Sequence, residues 1–325
     1  MHTNYFEVEA NSNYELGEKL GMIFKDKLHK DIATAQASSY WERRSLEALK
    51  YLQPTQNTFP HYIEELQGYA KAAEIPFNDL WTLSLEDEVY FEDKCTTFIT
   101  NKGLLIGHNE DQGGATESVC VLKKTIKETT ILELYYLHTL GGNAISINSN
   151  GYIQAINSLS QTDKRLGVPR NVIARWVSET SSVENDLETL KGIERSSGFG
   201  HNVVDRNGNA YNIESSATEL DMQQVDSPYV HANHYLRSLK KYEANHGSTY
   251  TFNRYECGIN LIKDNMTTLQ MQDLLKNRDT GEASSIFNSR TVGSMIVDLG
   301  KKVAYIWLAR ENEKGWIEYN IDFIK

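Results

Sequence analysis

Residues 95–111 decide the fold, and they read CTTFITNKGLLIGHNED. Residues 95–100 and 104–108 are rich in β-branched and apolar side chains, which favours two strands. Asn101, Lys102 and Gly103 lie between these strands and have the chemistry of a hairpin turn. The segment therefore predicts a β-hairpin whose first residue is Cys95.

The residues before this hairpin have a helical pattern instead. Apolar side chains recur at helical spacing in residues 14–28, 39–52 and 61–73. After Pro76 breaks the chain, Asn78 or Asp79 offers an N-cap for a fourth helix over residues 80–90. Residues 1–94 also hold 17 Asp and Glu against 9 Lys and Arg. We therefore predict an acidic, helical segment that ends where the strand pattern begins.

Beyond the hairpin, predicted strands are interrupted by pairs of predicted helices. The strands cover residues 118–122, 130–136, 144–148, 152–158, 201–204, 210–215, 291–298, 303–308 and 316–320. The helices cover residues 172–178, 183–190, 251–262 and 268–275. This order suits an α+β fold in which helices cover sheets.

Composition and charge argue against several classes of protein. The 325-residue chain is 40% apolar and 10% aromatic, which indicates an ordered globular protein. A net charge of −11 without a basic stripe argues against nucleic-acid binding. No apolar run approaches the length of a membrane span. Residues 1–5 lack the pattern of a secretory signal, so we expect a cytoplasmic protein.

The cysteines and histidines give no sign of a metal or cofactor site. Cys95, Cys120 and Cys257 do not suggest a disulfide scaffold. The sequence has no CxxC and no HExxH, and His231 and His234 have no further ligand at a zinc-like spacing. We predict neither a metal nor a cofactor, and we expect Cys120 and Cys257 to be core residues.

Cys95 is the candidate nucleophile, although a lone cysteine in a strand is usually a core residue. A thiol is intrinsically reactive but needs a base near neutral pH. An N-terminal cysteine would carry that base itself, because its α-amine titrates at about pH 8. Asn109 and Asp111 lie on the opposing strand of the hairpin, so both could return close to Cys95. One could orient the amine while the other bonds the substrate.

Several motifs resemble one enzyme family. CTT at residues 95–97, followed by GxNxD at residues 107–111, resembles the nucleophile segment of the acyl-CoA:6-aminopenicillanic acid acyltransferase family. These are N-terminal nucleophile enzymes related to the conjugated bile acid hydrolases and penicillin V acylases. Residues 14–21, 149–157 and 231–234 resemble further segments of the family in the same order, as does Ser-Arg at 289–290.

The resemblance implies a four-layer αββα sandwich of the N-terminal nucleophile hydrolase type with a helical prosegment. It also implies that the chain cleaves itself between Lys94 and Cys95. Residues 1–94 would become an α-subunit and residues 95–325 a catalytic β-subunit. The two pieces would stay together as a heterodimer within one αββα domain.

The resemblance also assigns the acyl-transfer chemistry. Cys95 would attack a carbonyl and become acylated, with its α-amine acting first as base and then as acid. Asn233 and Asn157 would donate hydrogen bonds to the developing oxyanion.

Four further residues receive supporting roles from the same resemblance. Asp111 would hold the α-amine. Arg290 would support Asp111 or the nucleophile electrostatically, for which arginine suits better than lysine. Thr96 and Asn109 would contact the substrate.

The resulting hypothesis is a self-processing amide hydrolase or N-acyltransferase that acts through a Cys95 thioester. Its partner would be a small N-acyl amide, with acyl-CoA or another acyl donor as a further possibility. Two alternatives stay open. A thiol hydrolase without processing would activate Cys95 with His231 or His234, and an unprocessed homologue would bind a ligand and leave Cys95 inert.

Overall fold

Two β-sheets packed face to face form the centre of the fold, and helices cover both outer faces. The computed structural model describes residues 1–85, 88, 95–244, 249–282 and 284–325. In chain order its strands are β1 (Tyr5–Ala10), β2 (Cys95–Thr100), β3 (Leu105–Asp111), β4 (Val119–Ile126), β5 (Thr129–Tyr136), β6 (Ile145–Asn148), β7 (Ile153–Ser158), β8 (Phe199–Val204), β9 (Ala210–Ser215), β10 (Leu220–Val225), β11 (Tyr229–His231), β12 (Thr291–Asp298), β13 (Val303–Leu308) and β14 (Ile317–Asn320).

The described helices fall into three groups along the chain, with strands between the groups. In order they are α1 (Asn13–Gln36), α2 (Trp41–Leu49), α3 (Leu52–Thr58), α4 (Pro60–Ala73), α5 (Phe77–Ser84), α6 (Arg170–Val177), α7 (Val183–Gly192), α8 (Thr249–Leu261) and α9 (Thr268–Leu275). The Ser12 side chain caps α1. Thr267 and Gln270 form a capping box at the start of α9.

The strand order of each sheet shows how distant segments meet. The first sheet has eight strands in the order β1-β4-β5-β6-β7-β8-β9-β10, and the second has six in the order β11-β2-β3-β12-β13-β14. Strand β1 pairs with β4 in parallel, whereas the other neighbouring pairs are antiparallel. The segment before Cys95 therefore contributes an edge strand to the first sheet.

A hydrophobic core lies between each pair of neighbouring layers. One core joins α1–α7 to the outer face of the first sheet. A second, which includes Ile99, Val121 and Ile306, lies between the two sheets. A third, which includes Phe98 and Leu275, joins α8 and α9 to the outer face of the second sheet. The layers follow the order αββα, which confirms the predicted fold class.

The hairpin predicted around residues 101–103 is present. Asn101, Lys102 and Gly103 have φ angles of 54°, 56° and 79°, as a tight reversal between β2 and β3 requires. Strand β3 runs on to Asp111, three residues beyond the predicted end. The extension brings the candidate site residues into the strand ladder.

Helices α1 and α4 approach each other closely at glycines. A Cβ atom on Gly17 would lie 1.9 Å from the Glu65 carbonyl oxygen, and one on Gly68 would lie 2.3 Å from the Tyr14 carbonyl oxygen. Real side chains do not reach such distances, so the crossing requires residues without Cβ. The glycine spacing in residues 14–21 therefore has a packing reason.

Glu311 ties residues near Met1 to the last part of the chain. Its carboxylate accepts hydrogen bonds from the backbone nitrogens of Thr3 and Asn4, both at 2.8 Å, and pairs with Lys314 at 2.6 Å. Burial alone would raise the pKa of Glu311, but these hydrogen bonds lower it to about 2. The contact links the two predicted subunits.

Some predicted boundaries are wrong. Helix α5 begins at Phe77, after Pro76, so neither Asn78 nor Asp79 is its N-cap. It ends at Ser84, and residues 86, 87, 89 and 90 of the predicted helix lie outside the described residues. Residues 39–52 divide between α2 and α3, and β1, β10 and β11 were not predicted. Within the described part of the chain, no helix is both long and apolar enough to cross a membrane.

Candidate active site

Cys95 is the first residue of β2, and strand geometry determines which side chains surround it. It pairs with Glu110 of β3. Because side chains alternate along a strand, Cys95 and Thr97 share one face with His108 and Glu110. Ile99 on the same face belongs to the core between the sheets. The thiol is therefore buried between the two sheets, and Cys95 is only 1% exposed.

The Cys95 thiol is held in its protonated form by its surroundings. Its Sγ donates a hydrogen bond to Glu110 Oε2 at 3.1 Å. Burial raises the pKa of the thiol well above its usual value, and the neighbouring Glu110 carboxylate raises it further. A hydrogen bond from the Ser158 backbone acts in the opposite direction. The thiol consequently needs a base before it can act as a nucleophile.

The backbone nitrogen of Cys95 donates to a side chain. It lies 3.1 Å from Asn233 Oδ1, in the segment that follows β11. The same oxygen accepts from Arg254 Nη2 at 2.7 Å, and Asn233 Nδ2 donates to the Ser158 carbonyl at 3.1 Å. Arginine can only donate, which fixes the orientation of the Asn233 amide. Asn233 therefore lies at the nucleophile, and one of its two amide hydrogens is used on Ser158.

Asp111 reaches this group through Arg254 and not directly. Arg254 Nη1 lies 3.1 Å from Asp111 Oδ2, and both side chains are fully buried. Thr291 and Asn288 also donate to the carboxylate, at 2.6 and 3.0 Å. Burial raises the pKa of Asp111, while Arg254, Thr291 and Asn288 counter part of that rise. The contacts run from Asp111 through Arg254 and Asn233 to the Cys95 nitrogen.

Glu110 and His108, to which the sequence alone gave no role, form a second buried group at the thiol. Glu110 accepts from Tyr136 at 2.7 Å through Oε1, and its Oε2 lies 3.1 Å from His108 Nε2. His108 Nδ1 lies 2.9 Å from Thr97 Oγ1. The period-2 alternation of β3 is the signal that could have placed both on the Cys95 face.

Asn157 lies on β7, deep between the sheets. Its Oδ1 accepts from Thr97 Oγ1 at 2.9 Å and from Asn202 Nδ2 at 2.8 Å. Its Nδ2 lies 3.5 Å from the His231 carbonyl oxygen. Asn157 contacts the residues that surround Cys95, and its neighbour Ser158 contacts the thiol itself.

Arg290 is not the arginine that pairs with Asp111. Arg254 of α8 takes that position. Arg290 instead lies beside Gly113, and its Nη2 is buried without a hydrogen-bond partner. Arg254 therefore takes the position beside Asp111 that we expected for Arg290, because a helix that is distant in sequence brings in another guanidinium. Electrostatic support of the nucleophile by Arg290 stays a prediction.

Thr96 and Asn109 lie on the face of the second sheet opposite the thiol. The Asn109 amide donates to the carbonyls of Leu275 and Ile286, both at 2.8 Å, and its oxygen accepts from Ser294 at 2.6 Å. These bonds hold Asn109 against α9. The structure thus places both side chains away from Sγ, whereas we expected them at the substrate. Lys94 lies outside the described residues.

The two histidines of the alternative thiol mechanism contact other residues. His231 Nε2 lies 3.1 Å from Glu214 Oε1, and His234 Nδ1 lies 3.0 Å from Thr251 Oγ1. Burial lowers the pKa of His234 to about 4. Across the described ranges, no hydrogen bond joins either imidazole to Cys95.

One set of side chains at the site has donors suited to a metal ion. Cys95, His108 and Glu110 each offer one ligand atom, and these atoms lie within 4.8 Å of one another. Thiolate, imidazole and carboxylate are ligands that zinc accepts. In the structure, Cys95 Sγ and His108 Nε2 each form a hydrogen bond with Glu110 Oε2.

A match to a family model identifies the family of this chain. The model of the acyl-coenzyme A:6-aminopenicillanic acid acyl-transferase family matches residues 99–313, which is more than half of the chain. The chain belongs to this family.

Two curated relatives show which activities occur among similar proteins. The chain is 30% identical over 161 residues to the beta-alanyl-dopamine/carcinine hydrolase of Drosophila melanogaster, a match that spans 42% of this chain and 42% of that relative. It is 26% identical over 239 residues to the 40 kDa form of the acyl-coenzyme A:6-aminopenicillanic-acid-acyltransferase of Emericella nidulans. That match spans 68% of this chain and 67% of the relative.

Solved structures of two enzymes are similar at low identity. A variant of the conjugated bile acid hydrolase from Clostridium perfringens is 14% identical, with a TM-score of 0.44, and the match covers 71% of this chain and 93% of that one. Penicillin V acylase from Agrobacterium tumefaciens is 9% identical, with a TM-score of 0.35 and coverage of 66% and 83%.

Proposed function

We propose that this protein is a self-processing amide hydrolase or N-acyltransferase whose nucleophile is Cys95. Cleavage between Lys94 and Cys95 would convert the Cys95 nitrogen from an amide into a free amine. The substrate would be a small N-acyl amide, and the acyl group would be carried as a Cys95 thioester.

The observation that carries the proposal is the environment of the Cys95 nitrogen. That nitrogen donates to Asn233 Oδ1 at 3.1 Å, and Arg254 and Asp111 fix the orientation of the acceptor. The Asn233 side chain, held in this orientation, would position the α-amine of Cys95 beside the Cys95 thiol. The amine would then be the base that the raised pKa of the thiol requires.

Turnover follows from this arrangement. The α-amine takes the thiol proton, and Sγ attacks the substrate carbonyl to give a tetrahedral oxyanion. The second amide hydrogen of Asn233 and the backbone N–H of Ser158 would stabilise that oxyanion. Asn157 is the other candidate donor, but its contacts in the structure are to Thr97, Asn202 and the His231 carbonyl, whereas Asn233 contacts the Cys95 nitrogen itself. The α-amine then returns its proton to the departing amine, which leaves the thioester.

The fate of the thioester decides between the two activities. Water gives hydrolysis, and a second amine gives acyl transfer. The curated relatives are named for one activity each, hydrolysis of beta-alanyl-dopamine and carcinine or acyl transfer to 6-aminopenicillanic acid. Both names support an acyl–nitrogen bond as the bond that is broken or made.

The two pieces would remain associated after cleavage. Strand β1 contributes Tyr5–Ala10 to the first sheet through its pairing with β4. The helices of residues 1–85 also bury an apolar core against that sheet, which would be costly to expose. Native gel filtration should therefore co-elute both pieces, and separation under native conditions would contradict the association.

Intact mass spectrometry tests the processing. Wild type should give fragments of residues 1–94 and 95–325, whereas Cys95→Ala should stay whole and inactive. Cys257→Ala is the matched control, because the thiol of this free cysteine bonds Asn277 and not a residue that contacts Cys95, so its loss should leave cleavage intact. A panel of N-acyl amino acids, β-alanyl amides, peptides and penicillins would then identify the substrate. A wild-type protein that remains uncleaved yet is fully active would contradict the proposal.

A further inference from the structure

Cleavage before Cys95 needs a base other than the one proposed for turnover, so this inference rests on the proposed self-processing. In the uncleaved chain the Cys95 nitrogen is an amide, which has no lone pair available for a proton near neutral pH. The thiol is nevertheless buried and protonated. The uncleaved chain therefore needs another proton acceptor within reach of Sγ.

Glu110 is positioned to be that acceptor. Its Oε2 accepts from the thiol at 3.1 Å, and the residue is only 2% exposed. Tyr136 fixes the carboxylate from the other side through a bond of 2.7 Å to Oε1. Asp111, the other carboxylate nearby, instead binds Arg254 and Thr291.

The direction of the hydrogen bond from the Thr97 hydroxyl follows from a chain of amides. Arg237 can only donate, and its Nη1 lies 2.6 Å from Asn212 Oδ1. The Asn212 amide nitrogen therefore donates to Asn202 Oδ1 at 2.9 Å, and Asn202 donates to Asn157 Oδ1 at 2.8 Å. The Thr97 hydroxyl, 2.9 Å from that same oxygen, must then donate to it.

This direction determines the protonation of the next pair. Because the Thr97 hydrogen is used on Asn157, Thr97 Oγ1 accepts from His108 Nδ1 at 2.9 Å. A neutral His108 would then have no hydrogen on Nε2. Nε2 and Glu110 Oε2 lie 3.1 Å apart, so one shared proton must join them.

We propose that Glu110 is the catalytic base of self-cleavage and that His108 is its positioning residue. Glu110 Oε2 takes the Sγ proton, and His108 Nε2, 3.1 Å from that oxygen, holds the carboxylate in place. Sγ then bonds to the Lys94 carbonyl carbon, the bond from that carbon to the Cys95 nitrogen breaks, and Glu110 returns the proton to the nitrogen. Water hydrolyses the resulting thioester, which leaves a Lys94 carboxylate, a free thiol and the new α-amine.

The test compares cleavage rates in the full-length chain. Wild type, Glu110→Gln and Glu133→Gln would be synthesised in a cell-free system and followed by intact mass. Glu133 is the matched control because it is also a fully buried carboxylate, but it pairs with Lys124 away from Cys95. Melting temperatures measured in a Cys95→Ala background would show whether each chain folds. Metal analysis of the purified wild type would detect an ion bound by Cys95, His108 and Glu110.

We expect Glu110→Gln to slow cleavage by about 10²- to 10⁴-fold, the usual contribution of a general base. Turnover of whatever protein is cleaved should fall less, because the α-amine then serves as base. Glu133→Gln should cleave within about threefold of wild type, even if its melting temperature falls. A folded Glu110→Gln chain that cleaves at the wild-type rate would overturn the inference. So would a stoichiometric metal ion whose removal stops cleavage. A wild type that never cleaves would remove the proposed function itself.

Discussion

Arg254 is the residue whose loss should affect the site most broadly. Its guanidinium joins Asp111 at 3.1 Å to Asn233 at 2.7 Å, and it is fully buried. Substitution by methionine keeps an unbranched apolar stem but removes every donor. Asp111 would then be a buried carboxylate that keeps the donors Thr291 and Asn288 but has lost its cation, and the Asn233 amide would lose the contact that orients it.

The expected magnitude follows from the burial of both partners. Removing one partner of a buried ion pair typically costs about 3–5 kcal/mol, because the other charge remains buried and uncompensated. Asp111→Asn should cost a similar amount by leaving Arg254 unpaired. The double variant removes both charges, so it should be more stable than the sum of the single losses predicts. We expect a coupling energy of about 2–3 kcal/mol, at the upper end for contacting residues.

Denaturant unfolding in a Cys95→Ala background measures these free energies on an uncleaved chain, which keeps folding unimolecular. Arg310→Met is the control, because its partner Glu117 is exposed and such surface pairs contribute about 0–1 kcal/mol. Processing and turnover of the same variants with Cys95 restored would report on the orientation of Asn233. A loss below about 1 kcal/mol for Arg254→Met, or strict additivity in the double variant, would refute the proposed role of the buried pair.

Three further predictions follow from contacts described above. Gly17→Ala should destabilise the uncleaved chain by about 1–3 kcal/mol or more, because its Cβ would lie 1.9 Å from a backbone oxygen. The control Gly192→Ala should not destabilise it, because a Cβ there meets nothing within 4 Å. Equal melting temperatures for the two variants would contradict this. Glu311→Gln should lower the melting temperature above pH 4.5. This difference in melting temperature from wild type should vanish as the pH falls toward the lowered Glu311 pKa of about 2. A difference that does not change with pH would refute the ionic role of Glu311. On cleaved protein, Asn233→Ala should lower kcat by about 10²–10³-fold with KM little changed, and Asn233→Asp should be worse; near-normal kcat would leave Ser158 as the donor.

The sequence predicted the parts of the fold that depend on local pattern. The hairpin at residues 101–103 follows from turn chemistry, and an α+β fold with helices covering sheets follows from the alternation of strands and helices, whereas the four-layer order was implied by the family resemblance. The glycine spacing in residues 14–21 was read only as a resemblance, although its physical cause is the contact between α1 and α4. Strand β1 was missed because its parallel partner β4 lies more than a hundred residues away, and no local signal specifies such a pairing.

The parts of the candidate site that depend on local pattern were also predictable, and those that depend on tertiary packing were not. The structure brings Cys95, Asn233 and, through Arg254, Asp111 together. Arg254 could not be distinguished from other arginines, because its helix reaches Asp111 only through tertiary packing. Glu110, in contrast, was within reach of sequence reasoning, since it pairs with Cys95 across a predicted hairpin. Applying the two-residue alternation to β3 would have placed Asn109 on the opposite face.

The edge position of β1 has a consequence for the thermodynamics of the mature enzyme. Before cleavage, the backbone hydrogen bonds between β1 and β4 close within one chain, so the unfolding midpoint is independent of protein concentration. After the proposed cleavage the same bonds join two molecules, and unfolding becomes a dissociation. The covalent link no longer supplies a high effective concentration of the partner segment. The mature enzyme should therefore melt at a temperature that falls on dilution, and once separated its pieces would have to meet again before either could regain the complete sheet.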